Sequence, residues 1–551
     1  MTLLSRVLAR RMRLIEPRTL DVICERDLRA TMDDGVVLLA DRWVASDTAA
    51  NAQPTVVVRS PYGRRQFVGL LLGRLLAERG FQVVVQSVRG TFGSGGEFDP
   101  FNERADGLGT LAWLRAQPWH AGRVATIGPS YLGLVQWAIA EPAGEELAAM
   151  AIQVSASQFY DETYAGGSVS LETVASWLVL IAFQERRLAP VSINRGLRAL
   201  RKALSETQLG EIDVRVTGAE VMWLRNALQH PGRDSDHWLR RDYSGSVAEV
   251  LAPVSFVGGW HDILLPWMLE DFKVLQGAGR SPQLLIGPWT HISPELTAAG
   301  EREGIAWMRA HLLGDDRLVR DSKVRLMVTG EGGGWRELER WPPDDTEARN
   351  LYLGSDRALG DEPPTRARPQ PPVFDYRYDP ADPTPSLGGA VLLAREPVVD
   401  NAELEQRDDV LTFTTEPLTE PVEAVGEVWA ELWARAQPPH FDLFVRVCEV
   451  GADGVSRNVC DGLRSVEPDR APISEDGIAH VVVELWPTAH RFAAGSQIRV
   501  QVSSGAHPRF ARNPGTGEDR TAADPQRMRP VDVELLRDRA HPSRLVLPVT
   551  R

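Results

Sequence analysis

Cysteine is scarce in this chain. Cys24, Cys448 and Cys460 are its three cysteines in 551 residues, and no C-x-x-C pair occurs. That argues against a zinc site or a disulfide framework and fits a reducing, cytoplasmic compartment. A His-Glu-x-x-His motif is also absent, and neither a metal nor another cofactor is expected. Gly90-Thr-Phe-Gly93-Ser-Gly95-Gly96 is rich in glycine, but it is not G-x-G-x-x-G and no Gly-Lys-Ser/Thr comes after it. It reads as a tight turn rather than a phosphate loop. Basic charge is in deficit, with a formal net charge of −14, which argues against nucleic-acid or anionic-membrane partners. The longest largely apolar run, Val174 to Phe183, falls well short of the roughly 20 residues that a membrane helix needs. The opening MTLLSRVLARRMRLIEP mixes apolar and basic residues without a continuous apolar core. It predicts a short amphipathic helix docked on the body, not a signal peptide. No internal repeat is visible.

The composition is that of a globular protein, 43% hydrophobic and 25% charged. The length predicts two to four domains. From 34 to 142 strand-like and helix-like segments alternate: Thr55 to Arg59, Gln66 to Arg79, Phe81 to Gln86, Ala105 to Ala116, Arg123 to Ile127, Tyr131 to Ala140. Such alternation implies a parallel sheet covered on both faces. Residues 170–245 have helical periodicity and look like an insertion, after which Pro253 to Val257, a helix near 266–277, and Gln283 to Ile286 resume the pattern. Residues 360–387 hold eight prolines and read as an irregular connector. Beyond it come short strands without helices: Val410 to Thr414, Val428 to Trp433, Phe441 to Val447, Ala479 to Leu485, Gln497 to Val502. The expected division is an α/β domain over 1–147 and 246–348, a helical cap over 148–245, and an all-β domain over 349–551.

In an open α/β sheet function collects at the carboxyl ends of the strands. The residues just beyond each predicted strand are therefore informative. Tyr62 stands after the first, Arg89-Gly90 after the second, Ser130 after the third, Asp262 after the fourth and His291 after the fifth. Ser…Asp…His is the triad order of α/β-hydrolases. A serine hydroxyl attacks only if a base removes its proton, a neutral histidine can serve, and a carboxylate fixes the histidine tautomer. Each residue also has an ordinary reading. Ser130 sits in a Gly-Pro-Ser turn, Asp262 could cap the next helix, His261 competes with His291, and Tyr62 could be a turn aromatic. It is their coincidence at successive strand ends that favours catalysis. One irregularity remains. The elbow G-x-S-x-G places glycine two residues after the serine, whereas in Gly128-Pro-Ser130-Tyr-Leu-Gly133 it comes one later.

The chain resembles the cocaine-esterase-like (CocE/NonD) hydrolases of the X-Pro dipeptidyl-peptidase superfamily. The similarity rests on Asp34-Gly35, Ser60-Pro-Tyr62-Gly, Arg89-Gly90, Gln117-Pro-Trp119, Gly128-x-Ser-Tyr-x-Gly133, Gly259-Trp-x-Asp262, Gly287-Pro-Trp-x-His291, Asp461-Gly-Leu-Arg464, Trp486-Pro-Thr-Ala489 and Phe510-x-x-Asn513. In that family the late glycine is the rule. The resemblance implies Ser130 as nucleophile, Asp262 as orienting acid and His291 as base, with an oxyanion hole from the Tyr62 hydroxyl and the Tyr131 backbone N–H. It also implies an α/β-hydrolase domain, an inserted helical cap and a C-terminal jelly roll. Two departures stand out. Ser87-Val-Arg89-Gly90 lacks the family's usual aspartate, which leaves Arg89 without its expected partner, and Gly495-Ser496-Gln497-Ile-Arg499 replaces Gly-His-Arg-x-Arg.

The expected activity is hydrolysis of a small-molecule ester or amide through an acyl-enzyme. Among the aromatic residues of the cap region and strand ends, Phe159, Tyr160, Trp177 and Trp260 are candidates to line the acyl pocket. Two alternatives use the same site: a peptidase or α-amino-acid ester hydrolase, for which Asp161 and Glu162 could meet the substrate ammonium, and an acyltransferase. A non-catalytic binder is a third alternative. A homodimer is left open.

Overall fold

The computed structural model describes residues 3–206, 208–368, 373–468 and 472–551. Met1 and Thr2 of the N-terminal segment and residues 369–372 of the proline-rich connector lie outside the described residues. The chain forms two compact units. The first comprises Met1–Tyr160, Ile181–Ser192 and Met222–Arg325, and the second comprises Asp161–Leu180, Ile193–Val221 and Leu326–Arg551.

In the first unit the strands are β1 (Val22–Thr31), β2 (Val37–Ala45), β3 (Gln53–Ser60), β4 (Gln82–Ser87), β5 (His120–Pro129), β6 (Leu147–Gln153), β7 (Val254–His261) and β8 (Gln283–Thr290). Their order is β1-β2-β4-β3-β5-β6-β7-β8. From β4 to β8 all pairs are parallel, while β1 and β2 add antiparallel edges. β4, Gln82-Val-Val-Val-Gln-Ser87, is buried throughout, as a β-branched run between two helical layers must be. The crossovers include a helix at Arg104–Arg115 and another at Tyr131–Ala143. The latter is buried at Tyr131 through Ala140, so it packs as an apolar rod rather than as an amphipathic surface helix. The N-terminal helix, Leu3–Arg11, docks through small and polar residues: Ser5 and Ala9 are buried, and Ser5 Oγ donates to Glu78 Oε1 at 3.0 Å.

β6 escapes the periodicity of the sequence. Its Leu147-Ala-Ala-Met-Ala-Ile-Gln153 is wholly buried between β5 and β7. Three alanines and a methionine favour helix locally, and burial on both faces removes the alternation that marks a strand. The helices expected after it are present, among them Leu171–Phe183, Ala189–Glu206 and Met222–Gln229.

The second unit holds the all-β part. Leu411–Thr414, Phe441–Val450, Ser456–Val466 and Gln497–Ser503 form one antiparallel sheet. Thr346–Leu353, Tyr376–Tyr378, Val422–Gln437, Ala479–Phe492, Val531–Asp538 and Arg544–Thr550 belong to another. Inward residues of both sheets, such as Phe413, Val445 and Val500 from one and Leu432, Val533 and Leu545 from the other, share one core. The connector is less irregular than its prolines suggest. Tyr376 and Tyr378 alternate inward on an edge strand against Val531–Asp538, a place where nearby proline is tolerated. Asp461 is buried between Arg446, at 2.9 Å, and Arg509. Asn513 donates to the buried Asp442 at 2.9 Å and accepts from Gly515 N–H at 2.9 Å. The C-terminal motifs thus hold an ionic interior together.

Candidate active site

Ser130 stands between β5 and the helix Tyr131–Ala143, at the helix N-cap, with φ 56° and ψ −125°. A side-chain-bearing residue is rarely found in such backbone, and it persists only where its surroundings hold it. Here they do. Ser130 N–H donates to Gln153 O of β6 at 2.9 Å, and its carbonyl accepts from Gly133 N–H at 2.8 Å and Leu134 N–H at 3.2 Å. The displaced glycine has a steric cause. A Cβ on Gly133 would lie 2.3 Å from Ser155 Cβ, in the segment just after β6. The helix can therefore approach that segment only if residue 133 lacks a side chain.

Asp262 and His291 are brought together by strand register. β7 and β8 are parallel neighbours with His261 opposite Thr290, so the next residue of each strand lies at the same edge. His291 Nδ1 is 2.5 Å from Asp262 Oδ2. The other carboxylate oxygen accepts the Leu264 N–H at 2.8 Å, immediately before the helix Leu265–Gly277. One buried carboxylate therefore shapes the turn into the helix and holds the imidazole. Nδ1 thus faces Asp262, and in the tautomer that donates to this carboxylate the lone pair lies on Nε2. His261, the rival base, is buried on β7, and the carboxylate of its chain neighbour is bonded to His291.

Tyr62 lies just beyond β3 and is partly buried, its N–H donating to Ser60 Oγ at 3.0 Å. Because β3 and β5 are parallel neighbours, the loops carrying Tyr62 and Ser130 leave the same edge of the sheet. The loop at Gly90 is a tight turn, closed by Gly90 N–H to Gly95 O at 3.0 Å. Arg89 has its carboxylates after all, supplied by the fold rather than by position 87. Asp106, on the helix Arg104–Arg115, binds it at 2.6 and 2.9 Å, and Asp34 binds it at 2.8 Å.

The aromatic candidates are placed differently from one another. The Phe159 ring lies 5.0 Å from Phe101, which lies 5.5 Å from Tyr131. Tyr160 donates to Pro231 O at 2.6 Å and meets Trp238 edge-on. Trp260 is buried on β7. Trp177 belongs to the second unit, on the helix Leu171–Phe183.

Sequence reasoning missed what lies beneath the elbow. Tyr131 is buried, and its hydroxyl donates to Glu103 Oε1 at 2.5 Å while accepting the Phe101 N–H at 3.1 Å. The other Glu103 oxygen pairs with Arg59 at 2.8 Å. The Tyr243 hydroxyl accepts the Glu103 N–H at 3.0 Å and donates to Phe101 O at 2.6 Å. Burial pushes the Glu103 carboxyl upward against the opposing pull of Arg59, and burial likewise holds the Tyr131 phenol well above its ordinary value. Nothing in Pro100-Phe-Asn-Glu103 marks that glutamate in the sequence. Among the described residues no group of three His, Cys, Asp or Glu side chains is arranged to hold a metal. Nor is any described helix long and apolar enough to cross a membrane.

A doubly covered parallel sheet with a strained serine between strand and helix defines an α/β-hydrolase. The family of X-Pro dipeptidyl-peptidases (S15 family) matches residues 34–293, and the X-Pro dipeptidyl-peptidase C-terminal non-catalytic domain matches 318–546. Cocaine esterase of Rhodococcus sp. (strain MB1 Bresler) is 30% identical over 565 residues, covering 94% of this chain and 97% of that protein. The chain belongs to the X-Pro dipeptidyl-peptidase (S15) family, in its cocaine-esterase-like branch, and is a serine hydrolase. Two solved structures share the fold. An α-amino-acid ester hydrolase has TM-score 0.80 at 21% identity, covering 97% of this chain and 98% of its own. An aminopeptidase from a marine-sediment Thaumarchaeota archaeon has TM-score 0.79 at 22% identity, covering 98% of both chains.

Proposed function

We propose that this hydrolase cleaves a carboxylic ester through an acyl-enzyme, with Ser130 as nucleophile, His291 as base and Asp262 as the group that orients the base. The single observation that carries this reading is the 2.5 Å contact between His291 Nδ1 and Asp262 Oδ2, at the carboxyl edge of the sheet that also ends in the strained Ser130. His291 Nε2 takes the Ser130 proton as Oγ attacks the carbonyl carbon. The imidazolium that forms is stabilised by Asp262, and it returns the proton to the leaving alkoxide. Water then repeats the sequence on the acyl-enzyme. The oxyanion in each half is held by the Tyr62 hydroxyl and the Tyr131 N–H. A donor of this kind is typically worth about 3–4 kcal/mol of barrier. Phe159, whose ring meets Phe101, which in turn meets Tyr131, is the foremost candidate to line the acyl side.

The test is Ser130→Ala assayed on a p-nitrophenyl ester. Hydrolysis is expected to disappear while the circular dichroism spectrum and melting temperature stay those of the parent. Retained turnover would sink the assignment. Running an X-Pro anilide and a free α-amino-acid ester beside the simple ester separates the esterase reading from a peptidase or amino-acid ester hydrolase. A preference of tenfold or more for a free-amine substrate would replace it.

A further inference from the structure

The peptide linking Ser130 to Tyr131 carries two functions in the proposed mechanism. It sets the direction of Ser130 Oγ on one side and of the Tyr131 N–H on the other. Its carbonyl is fixed by the helix, through Gly133 and Leu134. The Tyr131 N–H is coplanar with that carbonyl, so its aim at the site follows wherever the start of the helix is held against the sheet. With φ 56° at Ser130 the local backbone favours relaxation rather than retention of that direction.

The Tyr131 side chain ties that start of the helix to the sheet. The Tyr131 ring is flanked by Phe101 at 5.5 Å and Phe98 at 6.2 Å. Its hydroxyl is saturated, as donor to Glu103 and as acceptor from Phe101 N–H. Glu103 is in turn tied to Arg59, whose Nε donates to Gln86 Oε1 of β4 at 3.0 Å. Arg59 lies on β3 itself, two residues before Pro61-Tyr62. The chain of contacts thus runs from the sheet, through a buried ion pair, to the tip of the tyrosine that begins the elbow helix. A buried carboxylate is costly without such pairing, so a merely apolar anchor would have been the cheaper way to fill this space.

We propose that Glu103 is a positioning residue for the oxyanion site: by gripping the Tyr131 hydroxyl, with Arg59 of β3 behind it, it holds the start of the elbow helix, and with it the Tyr131 N–H, in place relative to the strand that leads to Tyr62. The inference rests on the reading of Ser130 as nucleophile and of the Tyr131 N–H as oxyanion donor.

The principal test is Tyr131→Phe, which keeps the ring and the N–H and removes only the grip. On a p-nitrophenyl ester, kcat should fall about tenfold to a hundredfold while KM stays within twofold, because the donor is needed in the transition state alone. Inhibition by an arylboronic acid, which forms a tetrahedral adduct on the serine, should weaken by a similar factor. Glu103→Gln keeps the shape but leaves Arg59 without its counter-charge, and it should shift kcat and boronate affinity in the same direction. It is the second variant because it can fail to fold. If Tyr131→Phe lowers only the melting temperature, with kcat and boronate affinity unchanged, the network is structural and the proposal is overturned. Failure of the underlying site reading is seen separately, as turnover that survives Ser130→Ala, and it would overturn the proposal as well.

Discussion

Ser130 holds a backbone that its own side chain disfavours, and the residues around it explain how. Gln153, Gly133 and Leu134 bind its two backbone polar groups, while Gly133 has given up its side chain to Ser155. Gly133→Ala should therefore be costly far beyond its size. The new Cβ must displace either the helix or the segment at Ser155. Overpacking of this kind typically costs about 1–3 kcal/mol, and here the displacement is transmitted directly to Ser130. The expected outcome is a lower melting temperature and at least a tenfold loss of kcat/KM on a p-nitrophenyl ester. An alanine variant with the parent's melting temperature and rate would refute the steric account. At this scale the strand-end positions of Ser130, Asp262 and His291 were legible, because strand ends can be read from β-branched runs. Glu103, Arg59 and Tyr243 were not legible. They meet through a loop, a strand and a segment more than a hundred residues away, and no local spacing records such a meeting.

Among the elements, the runs that the sequence revealed were those with one obvious pattern, such as Gln82 to Ser87 or Phe441 to Val450. Leu147–Gln153 escaped because its alanines carry a helix preference that burial between two parallel strands overrides. The helix expected over Gln66 to Arg79 forms as a run from Gln66 to Ala77 with a π-helical stretch at Gly69–Arg74. Nothing in its leucine spacing announces the wider turn. The strand Ser456–Val466 shows how a motif can serve an element rather than a reaction. Its Asp461 pairs with both Arg446 and Arg509, which are almost wholly buried. Asp461→Ala should destabilise the protein by about 3–5 kcal/mol, since it leaves two cations buried without their carboxylate. Chemical denaturation measures this directly. A change below about 1 kcal/mol would mean that the pair is compensated elsewhere.

For the whole molecule, stability should fall as pH rises through the neutral range. Burial raises the Asp271 carboxyl from its ordinary 3.8 to about 7, even though Ser157 donates to it through both N–H and Oγ, at 2.7 and 2.6 Å. Burial likewise raises Glu301 from 4.5 to about 8 against the opposing pull of Arg79. Both folded values lie above the unfolded ones, so the unfolded chain gives up these protons first. Their stabilisation is complete below about pH 4 and is lost as pH passes 7 to 8. Each proton contributes a slope of at most about 1.4 kcal/mol per pH unit. Asp271→Asn should remove one proton's share of the decline between about pH 5 and 7, measured by denaturation at fixed ionic strength. A variant curve parallel to the parent's would contradict this assignment.

The linear chain alone settles the α/β and all-β classes, the strand-end positions of serine, aspartate and histidine, and the family to which the protein belongs. These come from short-range periodicity and from motifs of a few residues, which a string of letters preserves. It took the folded molecule to establish that Asp262 is bonded to His291, that Arg89 recovers its carboxylates from Asp34 and Asp106, and that a buried glutamate grips the tyrosine after Ser130. Those facts depend on strand register and on contacts between distant segments. Burial then makes each contact strong, and burial is a property of the folded chain alone.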